Sequence, residues 1–431
     1  MSKVIRWVLY AAIVVSFFAA MVFTIDLGFF QLSPFRILVC LLPVLIIVGL
    51  CVERKNPLRI FTSKRHNTYS LCFMIAWFVY AAVSLLWTPD LGSGVRTLYF
   101  LGSGVLCSVA FSLYFDKKEY FPILFRCMMV MVALHNLMGW YEVIFRNYHF
   151  LSPANAAHYS TSSRRIPISW TGNPNNFALL MLFGIFICFI CYRCRRKKWE
   201  GIASIAIGIS SLVLALMTQS RAVLLGLIMS AAFYIIVVFR PKPKHLAILA
   251  GAAAVIALLI PNIRESLFSL FRFDFKAGEM NSNSTRINLI LNGFYFLGRT
   301  FGIGTGAGGV ESWMAASPAF PTEGIFNMHN WWMQVLTEFG VLIFAAYLIF
   351  YVKLFRDLYH GMRSTDDPTV KSICLGLLCC MVGFILGGIS PSSVMGMEWL
   401  WVFWAVAIAF QGCCRRPISN NLRSTNSGAY G

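Results

Sequence analysis

His329 and Asn330 close a polar segment of about seventy residues, 261–330, directly before an apolar stretch that opens Trp331-Trp332. The same segment carries Arg286 and the run Gly302-Ile-Gly304-Thr-Gly306-Ala-Gly308-Gly309. Arg221 follows Gln219-Ser220 in the shortest connection between apolar stretches. An imidazole titrates near neutral pH and accepts a proton from a hydroxyl. A guanidinium presents forked donors that match phosphate oxygens. Together they suit proton abstraction beside an anion, with no metal or other cofactor called for. Paired tryptophans mark the headgroup depth of a bilayer, so the expected anion is carried by a lipid.

Other spacings lead elsewhere. The histidines form no H-x-x-x-H or H-E-x-x-H pair, the pattern a zinc site needs. Cys191-Tyr-Arg-Cys194 has no second ligand pair. Gly304, Gly306 and Gly309 satisfy G-x-G-x-x-G, but a nucleotide site also needs a βαβ setting. A tight turn, or a backbone amide cradle at the mouth of a site, is expected instead. Glu338 lies nine residues past His329, which places it on roughly the opposite face of a regular helix. Glu142 is placed to face the same cavity, and Arg126 to snorkel at the other membrane surface.

The surrounding elements must be membrane helices. The chain has 431 residues, of which 58% are hydrophobic and 12% charged, too apolar for a water-soluble fold. A spanning helix needs about 20 mostly apolar residues. Twelve segments qualify: roughly 4–25, 34–52, 69–88, 97–114, 120–145, 176–192, 201–217, 222–239, 246–260, 331–356, 372–389 and 397–413. The expected fold is an all-α membrane protein of about twelve transmembrane helices, with a long outer loop that carries amphipathic helices. One polytopic domain spans 1–431, and 414–431 forms a cytoplasmic tail. The net charge of +19 does not signal nucleic acid, because most of the 36 lysines and arginines fall on alternate connections. That pattern places both termini in the cytoplasm and 146–175 and 261–330 outside. The outer 146–175 loop holds Arg146, Arg164 and Arg165 and no acidic residue.

Within the long loop, Ser266–Phe275 suits the headgroup layer. Asn281–Thr285 offers caps for a helix over 286–298 with Ile287, Ile290, Leu291, Phe294 and Leu297 on its apolar face. Arg286 then sits in the first turn, against the helix dipole. No internal repeat is visible, which counts against the alternative of a polysaccharide flippase or other transporter.

Three blocks in this order resemble the O-antigen ligase and O-antigen polymerase superfamily of bacterial membrane glycosyltransferases. They are Met-Thr-Gln-Ser-Arg-Ala-Val-Leu-Leu at 217–225, the Arg-led helix and Gly-Ile-Gly-Thr-Gly within 284–310, and His-Asn-x₉-Gly over 329–340. Gly172-Asn173-Pro174-Asn175-Asn176 is similar to the family's Asn-rich start of the sixth span. Ile343 and Ile290 depart from the ligase pattern, which favours polymerase. The resemblance implies catalysis by His329 and diphosphate binding by Arg221 and Arg286. Ser220, Asn330, Asn173 and Asn175, from the same blocks, are further substrate-binding candidates. The implied partners are an undecaprenyl-diphosphate-linked glycan, an acceptor glycan or glycolipid, and the lipid of the bacterial cytoplasmic membrane.

Overall fold

A computed structural model describes residues 1–18, 22–26, 31–54, 56, 61, 67–242, 282–392 and 394–414. The expected 246–260 span, the Ser266–Phe275 segment and nearly all of the tail lie outside them. The chain is a helical bundle: α1 (Ser2–Ser16), α2 (Pro34–Glu53), α3 (Thr68–Ser84), α4 (Leu91–Tyr114), α5 (Phe121–Phe145) and a short α6 (Pro153–Thr161). Then come α7 (Pro174–Arg193), α8 (Lys198–Met217), α9 (Arg221–Phe239), α10 (Ser282–Arg299), α11 (Val310–Ala316), α12 (Trp331–Ser364), α13 (Pro368–Gly387) and α14 (Glu398–Gln411). Among the described residues, α2, α4, α5, α7, α8, α9, α12 and α13 are long and apolar enough to cross a bilayer, and α3 and α14 are shorter apolar helices.

Local sequence explains where the helices start. Proline opens α2, α7 and α13, where its missing N–H costs nothing. Side chains of Ser33, Asp90, Asn173, Asn330 and Asp367 accept first-turn amides of α2, α4, α7, α12 and α13. The first expected span is cut short. Helix α1 stops at Ser16 because the Phe17 carbonyl is taken by Trp170 Nε1 at 2.7 Å and lies 3.0 Å from His135 Nε2. Ile25–Asp26 (β1) then pairs antiparallel with Gln31–Leu32 (β2).

Helices α13 and α14 fill the centre, α13 against α9 and α12, and α14 against α4. Small residues set the α9–α13 approach. Ser230 Oγ donates to the Cys379 carbonyl at 2.8 Å, and a Cβ on Gly226 would lie 2.5 Å from the Gly383 carbonyl oxygen. Exposed apolar side chains such as Val44, Ile47, Ile202, Ile209 and Ile228 lie along α2, α8 and α9, as lipid-facing surfaces require.

Helix α10 begins at Ser282, four residues earlier than expected, so Arg286 sits in its second turn. Its protein-facing side is also different. Leu289 and Phe296 are fully buried with Val310, Met314, Met328, Met333 and Leu336, whereas Leu291 and Phe294 are exposed. Apolar residues lie on both sides of this helix, and tertiary packing chooses between them.

Helix α12 is broken at Gly340, where φ is 76° and ψ 179°, a conformation essentially confined to glycine. The break frees the Thr337 and Glu338 carbonyls, whose helical partners would be Val341 and Leu342. Thr305 N–H takes the first at 2.8 Å, Gly306 N–H takes the second at 3.0 Å, and Val341 N–H turns to the Gly302 carbonyl at 2.9 Å. The two backbones nearly touch. A Cβ on Gly340 would stand 2.3 Å from the Gly302 oxygen, and one on Gly304 would stand 2.5 Å from the Glu338 oxygen.

Gly340→Ala and Gly304→Ala should therefore each cost about 2–5 kcal/mol, from forced positive φ plus backbone overlap. Thermal unfolding of purified protein in detergent measures this. Gly298→Ala serves as the control, because a Cβ there meets nothing within 4 Å, and it should unfold at or above the wild-type temperature.

Candidate functional site

The break in α12 fixes the chain that precedes it. Asn330 caps α12, its Oδ1 accepting from the Trp332 and Met333 amides at 3.1 and 3.3 Å. Trp331 N–H donates to the Gly388 carbonyl at 2.9 Å, tying this end of α12 to that of α13. Trp331 does not mark a headgroup layer. It is buried, with its Nε1 on Tyr347 Oη at 2.9 Å, while Trp332 Nε1 donates to the Ile385 carbonyl. Between these anchors His329 adopts a left-handed backbone, φ 47°, unusual for a bulky residue. Its N–H donates to Asn327 Oδ1 at 3.0 Å, and Asn327 Nδ2 donates to Glu311 Oε1 at 2.8 Å.

The His329 imidazole is half-buried, and its Nδ1 is enclosed without a hydrogen-bond partner. Burial lowers its pKa from the ordinary 6.5, and the positive charge of Arg286 lowers it further. A backbone hydrogen bond at Ser390 and the Glu311 carboxylate push weakly the other way. The net direction favours the neutral ring at neutral pH, with a basic nitrogen free to accept a proton.

Arg286, half-buried on α10, is depressed in turn by burial and by the charge of Arg221. Among the described residues neither guanidinium has an ion-pair partner. Two cations held together without a carboxylate repel each other, and a bound anion would relieve that repulsion. Arg221 opens α9 behind Ser220, which is buried, gives no side-chain cap and has no partner for its Oγ. The first-turn amides of α9 thus meet no capping side chain, at the positive end of the helix dipole. Arg164, from the 146–175 loop, donates to Gln219 Oε1 at 3.0 Å and brings a further cation to this turn.

The remaining candidates do structural work. Asn173 Oδ1 accepts the Asn175 amide at 2.8 Å, capping α7. Glu142 Oε2 takes the Ile168 and Ser169 amides and pins the 146–175 loop. Arg126 pairs with Glu200 at 3.2 Å, and Arg36 with buried Glu398 at 2.9 Å. The glycine run is a tight turn whose amides are already used. Gly304, Ala307, Gly308 and Gly309 donate to Thr300 Oγ1, Ser84 Oγ, Glu338 Oε2 and the Gly306 carbonyl. It offers no amide cradle to an anion.

Sequence reasoning missed Asn327, Glu311, Ser390 and the contact of Asn176 Oδ1 with the Ser392 amide at 3.2 Å, which ties the Ser390 stretch to α7. Only Asn327, two residues before His329, carries a local signal, that of an Asx turn.

The comparisons make this multi-pass helical bundle a membrane protein of polysaccharide biosynthesis. The O-antigen ligase family signature matches residues 206–348, which include Arg221, Arg286, the glycine run and His329. The teichuronic acid biosynthesis protein TuaE of Bacillus subtilis (strain 168) is 30% identical over 417 residues, spanning 95% of this chain and 84% of that protein. The chain belongs to the O-antigen ligase and polymerase superfamily.

NMR titration of ring-labelled His329 should place its pKa below 6.5, and Arg286→Gln, by removing a positive neighbour, should raise it. A pKa at or above 6.5 in the wild type, or no rise in the variant, contradicts the electrostatics described. Asn330→Ala should lower stability by about 1 kcal/mol and Asn330→Asp by much less, since aspartate also caps. Thermal unfolding in detergent distinguishes the two.

Proposed function

We propose that this protein transfers a glycan from undecaprenyl diphosphate to an acceptor hydroxyl at the outer face of the bacterial cytoplasmic membrane. The observation that carries the reading is the half-buried imidazole of His329 with Arg286 near it and Arg221 near Arg286, two arginines that have no carboxylate partner among the described residues. Arg221 and Arg286 hold the diphosphate, aided by the first-turn amides of α9 and the Ser220 hydroxyl. Asn330, Asn173 and Asn175 act at one remove, by fixing the helix starts beside the donor.

The acceptor O–H gives its proton to the imidazole of His329 while its oxygen attacks the anomeric carbon. The bond from that carbon to the diphosphate oxygen breaks, and its electron pair leaves with the diphosphate. Arginine hydrogen bonds strengthen as charge grows there. A lipid diphosphate is a good leaving group, so neither a metal nor a separate acid enters any step. A single displacement inverts the anomeric configuration. The part that the relative's name gives it in teichuronic acid biosynthesis, with Ile343 and Ile290 outside the ligase pattern, favours a second lipid-linked glycan as acceptor over a lipid A core.

Purified protein in detergent with lipid-linked glycan tests this. His329→Ala should cut kcat by about 10²–10⁴-fold, the range for loss of a general base. Arg221→Ala and Arg286→Ala should raise donor KM as well as lower kcat, and the new linkage should be inverted. Near-normal transfer by His329→Ala, or retention of configuration, removes the direct displacement.

A further inference from the structure

A polar cleft lies beside the Asn327 stretch that leads into His329. It holds about 170 Å³ between α4, α11 and the first turns of α12, and its lining includes Ser93, Arg96, Phe100, Glu311, Asn327 and Gln334. We propose that this cleft is the acceptor subsite, which binds the hydroxyl-bearing face of a pyranose and presents one hydroxyl to His329. The inference rests on the glycosyl-transfer reading above and adds to it the place and chemistry of acceptor recognition.

Three observations lead there. First, the walls mix the carboxyl groups of Glu311 and Glu338, the carboxamides of Asn327 and Gln334 and the hydroxyls of Ser93 and Thr97 with one aromatic ring, Phe100. Such groups accept and donate to vicinal hydroxyls while the ring covers an apolar sugar face; they do not suit an acyl or polyprenyl chain. Glu311 is exposed, has no ion-pair partner among the described residues, and spends only Oε1 on Asn327. Its Oε2 is free to accept from a ligand.

Second, the cleft is joined to His329 by covalent and hydrogen-bonded structure. Asn327 holds the His329 N–H through Oδ1 and Glu311 through Nδ2, and Gln334 stands one turn into the helix that Asn330 caps. A sugar held by Glu311 and Asn327 is thus fixed relative to the imidazole.

Third, Arg221 and Arg286 are not among the residues that line the cleft, which holds Glu311 and the deeper Glu338; Glu338 takes Gln334 Nε2 on Oε1 at 3.2 Å and Gly308 N–H on Oε2 at 3.3 Å. A diphosphate is repelled from the exposed Glu311 carboxylate and a hydroxyl-rich sugar is not. The donor and acceptor ends of the reaction are thereby told apart. Arg96, exposed at the cleft, stands as its lone cation among these lining residues.

The test uses the full-length protein in detergent, with lipid-linked glycan as donor and the repeat-unit oligosaccharide, released from its lipid, as acceptor probe. Glu311→Ala and Gln334→Ala should each raise the KM for the oligosaccharide by about tenfold or more, the loss expected for a hydrogen bond to a charged or buried polar partner. Donor KM should stay within about twofold of wild type. Glu311 is exposed, so its truncation keeps the fold, and unfolding temperatures check both variants. Unchanged acceptor KM in both folded variants overturns the subsite, as does a rise confined to donor KM. His329→Ala in the same assay separates the two readings. If it abolishes transfer while the cleft variants leave acceptor KM unmoved, only the subsite falls; if it stays active while they raise acceptor KM, only the general base falls.

Discussion

The interlock between the Gly340 break and the glycine turn is the constraint on which the site depends. An unbroken α12 would satisfy its own carbonyls and leave nothing for the 302–309 turn to bind. Broken, it offers the Thr337 and Glu338 carbonyls, and the turn meets both with amides. Helix α3 and the residues after it close the joint from the other side: Trp87 Nε1 and Thr88 Oγ1 donate to the Gly304 and Ala307 carbonyls, and Tyr80 Oη donates to that of Ile303. The turn connects α10 to α11, so this joint fixes Arg286 and Glu311 relative to the start of α12. His329 sits two residues ahead of that helix, with its backbone held by Asn327. A strained φ at such a residue persists only where its surroundings over-determine it, and here a capped helix, an Asx turn and the Ser390 stretch do so.

From that scaffold the electrostatics follow. Burial and a neighbouring guanidinium both lower the pKa of the imidazole, so in the proposed reaction proximity to a cation favours the neutral base. In the proposed reaction the same guanidiniums, which have no carboxylate partner among the described residues, meet an anion whose charge grows as its bond to carbon breaks. Glu311 and Glu338 line the adjoining cleft. Where a metal site would concentrate positive charge in one ion, this arrangement spreads it over two long side chains from different helices.

Much of the fold was legible in the sequence because helix starts carry chemical marks. Proline together with a Ser, Asn or Asp cap announces α2, α7 and α13, and the apolar runs have bilayer length. Arg221, Arg286 and His329 were legible through the family's motifs. Other features were hidden for definite reasons. In α10, Leu289 and Phe296 face protein while Leu291 and Phe294 do not; all four are apolar, and periodicity cannot tell a protein face from a lipid face. Trp331 resembled an interface anchor because its partner Tyr347 lies a further four turns along the helix, where only folding reveals it. Gly340 and Gly304 explain each other, yet nothing local to either predicts the contact. The cleft draws on three separate elements and has no spacing to read.

The most direct measurement is an experimental structure of the purified protein with undecaprenyl diphosphate in lipid nanodiscs. The diphosphate oxygens should lie at hydrogen-bond distance, about 2.7–3.2 Å, from both Arg221 and Arg286, with the departing oxygen on the side of His329 and the Glu311 cleft empty of phosphate. A diphosphate seated at the opposite end of the bundle, among Arg193, Arg363 and Lys371, would contradict the convergence of His329, Arg221 and Arg286 on one substrate.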